Sequence, residues 1–206
     1  MNKKQYLTVA DIASRSYKRA GLPKEWTTHL GNPEMGQTII IWGQSASGKS
    51  YYAMKLAKGF AEAGHRVLYY PLEEGITASY NEKIVNCRMQ DVSRRFFTAR
   101  EGFSIDSLTE VLTSNLAPKV VVIDSVQYSA MSYEDYKEIR RRWPGVTLIF
   151  VSHADGPEPR GSVATSIRYD AGVKVRVVAK RAKADSRFGG REDYIIDPET
   201  VEKIEL

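Results

Sequence analysis

The residues best suited to chemistry stand in one run, Gly43, Gln44, Ser45, Ala46, Ser47, Gly48, Lys49 and Ser50, which fits the spacing G-x-x-x-x-G-K-[ST] at every position. Gly43 and Gly48 let the backbone curl until its N–H groups face a phosphate, and the start of a following helix adds positive potential. Lys49 can neutralise β- and γ-phosphates. The Ser50 hydroxyl suits magnesium, a hard cation that takes oxygen ligands and keeps several waters. The expectation is a site for ATP with Mg2+, in which Gln44, Ser45, Ala46 and Ser47 supply loop backbone and Tyr51 follows in the first helical turn.

Hydrolysis needs two further groups, a carboxylate near the metal and a group that orients or deprotonates water. Asp124 ends the apolar run KVVVIDS (Lys119 to Ser125) where the metal-side carboxylate belongs; standing alone, the run would read as a buried strand that happens to end in Asp. Ser125 follows it, so the water-activating group must come from elsewhere. Glu73 and Glu74 end the run RVLYYPLEEG, and a glutamate at the carboxyl end of a strand projects into the ligand crevice of an open α/β sheet. Glu73 is preferred on reach, against the alternative of an exposed acidic turn. The run VTLIFVSH ends in Ser152 and His153, and His153 is read either as a γ-phosphate sensor or as a structural histidine.

These groups need a scaffold that brings strand ends together. Strand-length apolar runs alternate with helix-period segments, which predicts an α/β fold with a mainly parallel central sheet flanked by helices. TIIIW (Thr38 to Trp42) leads into the glycine-rich run, and Ala53, Leu56, Ala57 and Phe60 then repeat at helical spacing. A first helix is expected from Thr8 to about Ala20, with Thr8 and Asp11 as a capping pair and Gly21 and Pro23 as a stop. Residues 1–30 thus read as a helix and connector able to pack on their own body or on a neighbouring subunit, and residues 31–206 as the ATPase domain. The segment ADGPEPRGSVATSIR after His153 reads as a long irregular loop. GVKVRVVAKRA and EDYIID read as strands joined by KADSRFGG, whose Gly189 and Gly190 suit a hairpin.

Bulk properties narrow the class. At 206 residues, 42% hydrophobic and 27% charged, the chain fits one ordinary globular domain, with no apolar stretch long enough for a membrane span and no secretory leader pattern. A cytoplasmic location is expected. Cys87 cannot pair internally and reads as a buried structural thiol. A net charge of +5 permits a polyanion partner without demanding one; the basic clusters are Lys137 to Arg142 and Lys174 to Arg187, and the first also reads as a solvated helix face.

Over about Gly31 to Asp197 these residues resemble the RecA-like ATPases, especially the RadA and DnaB-helicase branch. GQSASGKS is similar to the family's phosphate loop, VLYYPLEEG to its glutamate-bearing strand end, and VVVIDSVQ to the RadA strand that is likewise followed by Ser and a glutamine. LIFVSHADG resembles the strand ending in a phosphate sensor, and the loop after it corresponds to the family's DNA-contacting region. In that loop Arg160 is the only basic residue from Ala154 to Ile167, beside Gly161 and Ser162. SRFGG is similar to the end of the RadA motif Lys-Asn-Arg-Phe-Gly, whose basic residues reach the ATP of the adjacent subunit. The resemblance therefore implies a trans-acting role for Arg187, against the alternative of a solvated hairpin arginine. Asp185 stands where the motif has lysine, and Lys183, which shares its face in an extended strand, is the candidate substitute. A RecA core of this kind, similar to the compact recombinases of phages and mobile elements, implies a motor or recombinase that forms a ring or filament on single-stranded DNA. Other replication or recombination proteins are its expected partners. Two alternatives remain: an ATP-regulated adaptor that recruits a helicase or transposase, and a small-molecule or nucleotide kinase, which would need an arginine-rich lid.

Overall fold

Strands covered on both faces need apolar side chains on both, and the continuous apolar runs of this sequence accordingly form the centre of the sheet. The computed structural model describes residues 6–100 and 102–197; residues 1–5, 101 and 198–206, including the last stretch of the expected ATPase unit, lie outside the described residues. In chain order the elements are α1 (Val9–Ala13), α2 (Lys24–Leu30), β1 (Thr38–Gly43), α3 (Lys49–Glu62), β2 (Val67–Pro71), α4 (Ala78–Asn86), β3 (Phe96–Thr98), α5 (Ile105–Thr113), β4 (Val120–Asp124), α6 (Tyr133–Arg142), β5 (Thr147–Asp155), β6 (Glu158–Pro159), α7 (Ser162–Asp170), β7 (Val173–Val178), β8 (Arg181–Ser186) and β9 (Tyr194–Ile195). The sheet order is β3-β2-β4-β5-β1-β7-β8-β9, parallel from β3 through β7, with β8 and β9 antiparallel at the edge and β6 paired to the end of β5.

Side chains alternate between two packed layers. Ile39 and Ile41 face a core shared with Tyr52, Leu56 and Phe60 of α3, whereas Ile40 and Trp42 face Leu108 of α5, Ile139 of α6 and Ile167 of α7. Local signals set the helix starts. Thr77 caps α4, and Ser104 and Ser132 open α5 and α6 with reciprocal capping boxes, each cap contributing about 1 kcal/mol.

Three elements differ from the sequence expectation. The helix capped by Thr8 and Asp11 stops at Ala13, because Lys18 and Ala20 turn their backbone groups to Met35 and Pro33 instead. The connector that follows holds its own helix, α2, which buries Trp26, His29 and Leu30 against α3. His29 is fixed between the Glu192 carbonyl (2.6 Å) and the Tyr52 hydroxyl (2.9 Å), and Tyr194 stacks on Trp26 at 4.6 Å. Here Gly31 and Gly190 meet backbone to backbone, so that a Cβ on either would overlap main-chain atoms of the other segment. Second, the hairpin turn lies at Ala179 and Lys180, both left-handed (φ 47° and 61°), and splits GVKVRVVAKRA into β7 and β8; Gly189 and Gly190 sit beyond β8. No glycine marks this turn. It is held by Lys180 N–H donating to the Ser47 carbonyl (3.1 Å) and Ile196 N–H donating to the Lys180 carbonyl (2.8 Å). Third, the expected irregular loop after His153 is mostly regular: β5 runs on to Asp155, β6 follows a tight turn, and α7 begins at Ser162 because Ala164, Ile167 and Ala171 supply a buried helical face.

Candidate nucleotide site

The carboxyl ends of β1, β2, β4 and β5 lie level with one another: Gly43 is opposite His153, Asp124 is opposite both Pro71 and Val151, and Glu73 is tied by its N–H to the Asp124 carbonyl at 3.0 Å. The loop from Gly43 to Gly48 spans this level and turns into α3. Gly48 makes the turn at φ 104°, a conformation that other residues rarely adopt. Lys49 then starts the helix, with its Nζ folded back onto the Gln44 carbonyl at 2.9 Å. Burial pushes the Lys49 ammonium below the ordinary lysine range, and the negative charges of Glu73 and Asp124 pull it partly back.

Asp124 is 3% exposed at the end of β4. Its Oδ2 accepts from the Tyr69 hydroxyl at 2.6 Å, and the Ser50 hydroxyl lies close enough to stabilise the carboxylate's charge. Burial raises its pKa; the bond from Tyr69, the Ser50 hydroxyl and the field of Lys83 oppose the rise. Oδ1 has no partner. A buried anionic oxygen without a donor, beside a serine hydroxyl, suits a hard divalent cation that binds few protein oxygens and keeps its waters. Ser50 and Asp124 therefore fit Mg2+.

At the end of β5, His153 Nε2 lies 3.3 Å from Glu73 Oε2. Gln127, which was not assigned a role from sequence, joins this pair to the next turn: its amide donates to Ser152 Oγ and to the Arg160 carbonyl, both at 2.8 Å, and its oxygen accepts from His153 N–H at 3.3 Å. Trp42 braces the same turn by donating to the Pro157 carbonyl (2.9 Å), and Arg168, paired with Glu158, lies over the Trp42 ring. The cleft of about 400 Å3 bounded by Lys49, Ser50, Glu73 and Glu74 also includes Lys83 of α4 and Lys180 of the hairpin turn. A neighbouring cleft of about 430 Å3 shares Tyr51 and Lys180 and adds Lys55, Asn86 and Ile196.

The remaining sequence candidates lie elsewhere. Arg160 is exposed beside Gly161 and Ser162 at the start of α7. Lys183 pairs across the hairpin with Arg176, and Arg187 bonds through its backbone to Gly172 just beyond the end of β8. From the level of Val177, which adjoins Gly43, to Gly172 is roughly 16 Å of strand at about 3.3 Å per residue. Arg187 therefore sits toward the opposite end of the sheet from its own phosphate loop. The basic cluster of α6 is largely occupied: Arg141 and Lys137 pair with Glu138 and Glu134, Arg140 donates to the Gly36 carbonyl, and Arg142 stacks on Trp143.

Comparison with solved structures identifies this arrangement. The flagellar accessory protein FlaH from Methanocaldococcus jannaschii superposes with a TM-score of 0.61 at 18% identity, over 86% of this chain and 93% of that one. A KaiC-like protein from Pyrococcus horikoshii OT3 gives 0.60 at 18%, over 87% and 93%. The chain has the RecA-like P-loop ATPase fold. Sequence agrees with the RadA resemblance over 50% of the chain: the DNA repair protein RadA of Chlamydia trachomatis is 31% identical over 103 residues, and that of Chlamydia muridarum 30% over 105 residues. The match covers 50% of this chain and 22% of each relative, so the chain spans about a fifth of the length of these curated proteins. No protein-family model matches it. Among the described residues no helix is long and apolar enough to cross a membrane.

Proposed function

We propose that the chain binds Mg·ATP in this cleft and hydrolyses it, working as a self-associating ATPase on single-stranded DNA. The observation that carries the reading is one cleft lined by Lys49, Ser50 and Glu73, with Asp124 close to Ser50 and His153 in contact with Glu73. Lys49 exchanges the Gln44 carbonyl for β- and γ-phosphate oxygens. Ser50 and Asp124 would hold Mg2+, which when bound would supply charge neutralisation at the phosphates. Glu73 accepts a hydrogen bond from the attacking water and orients it in line with the γ-phosphorus. His153 senses the terminal phosphate through its contact with Glu73, and Gln127 ties that state to the turn carrying Arg160, Gly161 and Ser162.

Arg160 on a braced, exposed turn, together with similarity to proteins named for DNA repair, supports the DNA side of the proposal. The position of Arg187, far from its own phosphate loop, supports a role at a neighbour's nucleotide; Lys183, opposite Arg176, lies four residues back along the strand, roughly 13 Å nearer the loop at about 3.3 Å per residue. The test is the rate of ATP hydrolysis with and without single-stranded DNA, in wild type and in Glu73→Gln. Stimulation by DNA, and a loss on the order of a hundredfold or more in the variant with ATP still bound, are expected. Rates unmoved by DNA would remove the DNA role, and full turnover in Glu73→Gln would remove the base assignment. A reversed pattern in Glu74→Gln would transfer that assignment to Glu74.

A further inference from the structure

A second lysine faces the phosphate cleft. Lys83 and Ser79 stand four residues apart on one face of α4, and both reach Glu74: Lys83 Nζ pairs with Oε1, and Ser79 Oγ donates to Oε2 at 3.2 Å. The Lys83 side chain is only 12% exposed and that of Glu74 24%, so water screens the pair incompletely. Lys83 lines the same cleft as Lys49, Ser50 and Glu73, and its field reaches Asp124. Glu73, by contrast, contacts His153. The two adjacent glutamates thus serve different partners.

The cleft is lined by Lys49, Lys83 and Lys180 against Glu73 and Glu74, with the buried Asp124 outside the lining. A triphosphate adds several negative charges and competes with Glu74 for the nearest mobile cation. An ammonium on a flexible four-carbon stem, with three donors, can change partner by rotamer alone. Ser79 stays bonded to Glu74 when the lysine leaves, which lowers the cost of separating the pair. We propose that Lys83 is a second phosphate-binding cation, held by Glu74 when the cleft is free and passed to the terminal phosphate when Mg·ATP enters. Glu74 is then a positioning residue that sets how readily the lysine is released. The inference rests on the ATP reading of the cleft.

The test is equilibrium binding of a non-hydrolysable Mg·ATP analogue and of Mg·ADP to the full chain. Lys83→Gln should weaken the triphosphate on the order of tenfold, the scale of one charge-assisted hydrogen bond, and the diphosphate much less. Glu74→Gln should tighten the triphosphate severalfold, and that gain should vanish in the Lys83→Gln background. Lys83→Arg, which keeps the charge, should retain most of the affinity; Lys83→Met, which keeps the apolar stem, replaces the Gln variant if that one does not fold. A pair that merely tied α4 to the end of β2 would move both single variants in the same direction, or change both nucleotides equally, and either result would overturn the exchange. Failure of the wild type to bind either nucleotide is a separate outcome, which removes the ATP reading itself.

Discussion

Tyr69→Phe isolates the bond that holds the buried carboxylate of the site. The phenol of Tyr69 is fully buried on β2 and donates to Asp124 Oδ2 at 2.6 Å, while Oδ1 has no partner. Removing the hydroxyl leaves the carboxylate only its contact with Ser50 and the field of Lys83. A hydrogen bond to an ionised group contributes about 1.5–3 kcal/mol. Taking about 2 kcal/mol, and roughly 2–4 °C per kcal/mol for a chain of this size, the melting temperature should fall by about 4–8 °C at pH 7.5. The assay is thermal unfolding in a double-mutant cycle with Asp124→Asn, which removes the charge but keeps the shape. If the ionised carboxylate is what Tyr69 serves, Tyr69→Phe should cost at least about 1 kcal/mol less in the Asn background. Additive losses, or a fall of under 1 °C in the single variant, would refute the account of how Asp124 is held.

Arg160→Ala should weaken binding to single-stranded DNA and flatten the log–log salt dependence by up to about one unit; unchanged affinity and slope would point to another surface. Arg187→Ala and Lys49→Ala should each be nearly inactive alone, yet mixing them should restore some ATP hydrolysis, because one contributes an intact phosphate loop and the other an intact Arg187. No recovery across mixing ratios in demonstrated mixed assemblies would refute action in trans. Burial lowers the pKa of His29 below the ordinary 6.5, against smaller upward effects of the Glu192 carbonyl and Asp193. The unfolded chain therefore takes up this proton first, so the stability contribution is complete above pH 6.5 and declines as pH falls below it. His29→Gln should melt with a shallower pH dependence between 6.5 and 5, and an identical slope would count against the buried neutral imidazole.

The phosphate loop, the strand ending in Asp124 and the parallel sheet were legible because each depends on a short contiguous pattern: glycine spacing, an apolar run, alternation of strand and helix. What escaped the sequence depends on contacts between distant segments. The turn at Ala179 and Lys180 carries no glycine, since its backbone is held by Ser47 and Ile196, more than a hundred and about fifteen residues away respectively. The helix α7 hid in a stretch of Gly, Pro, Ser and Thr because its buried face uses small residues and one isoleucine. Lys83 gave no motif, and Gln127 closes the motif VVVIDSVQ without a role attached to it. The four-residue spacing of Ser79 and Lys83 on a helix capped by Thr77 was the available signal for the former, whereas the role of Gln127 appears only once β4 and β5 are side by side.

The contact of Gly31 with Gly190 has a mechanical consequence. With no side chain between them, the segment entering the sheet and the segment leaving β8 are spaced by main-chain atoms alone, and Trp26, His29, Tyr52 and Tyr194 close around the junction. Tyr52 belongs to the helix that begins at Lys49. The hairpin bearing Lys180, the helix α2 and the phosphate loop are thus clamped at one joint, so a force that lifts the hairpin pulls on the loop through the Lys180–Ser47 backbone bond as well as through side chains.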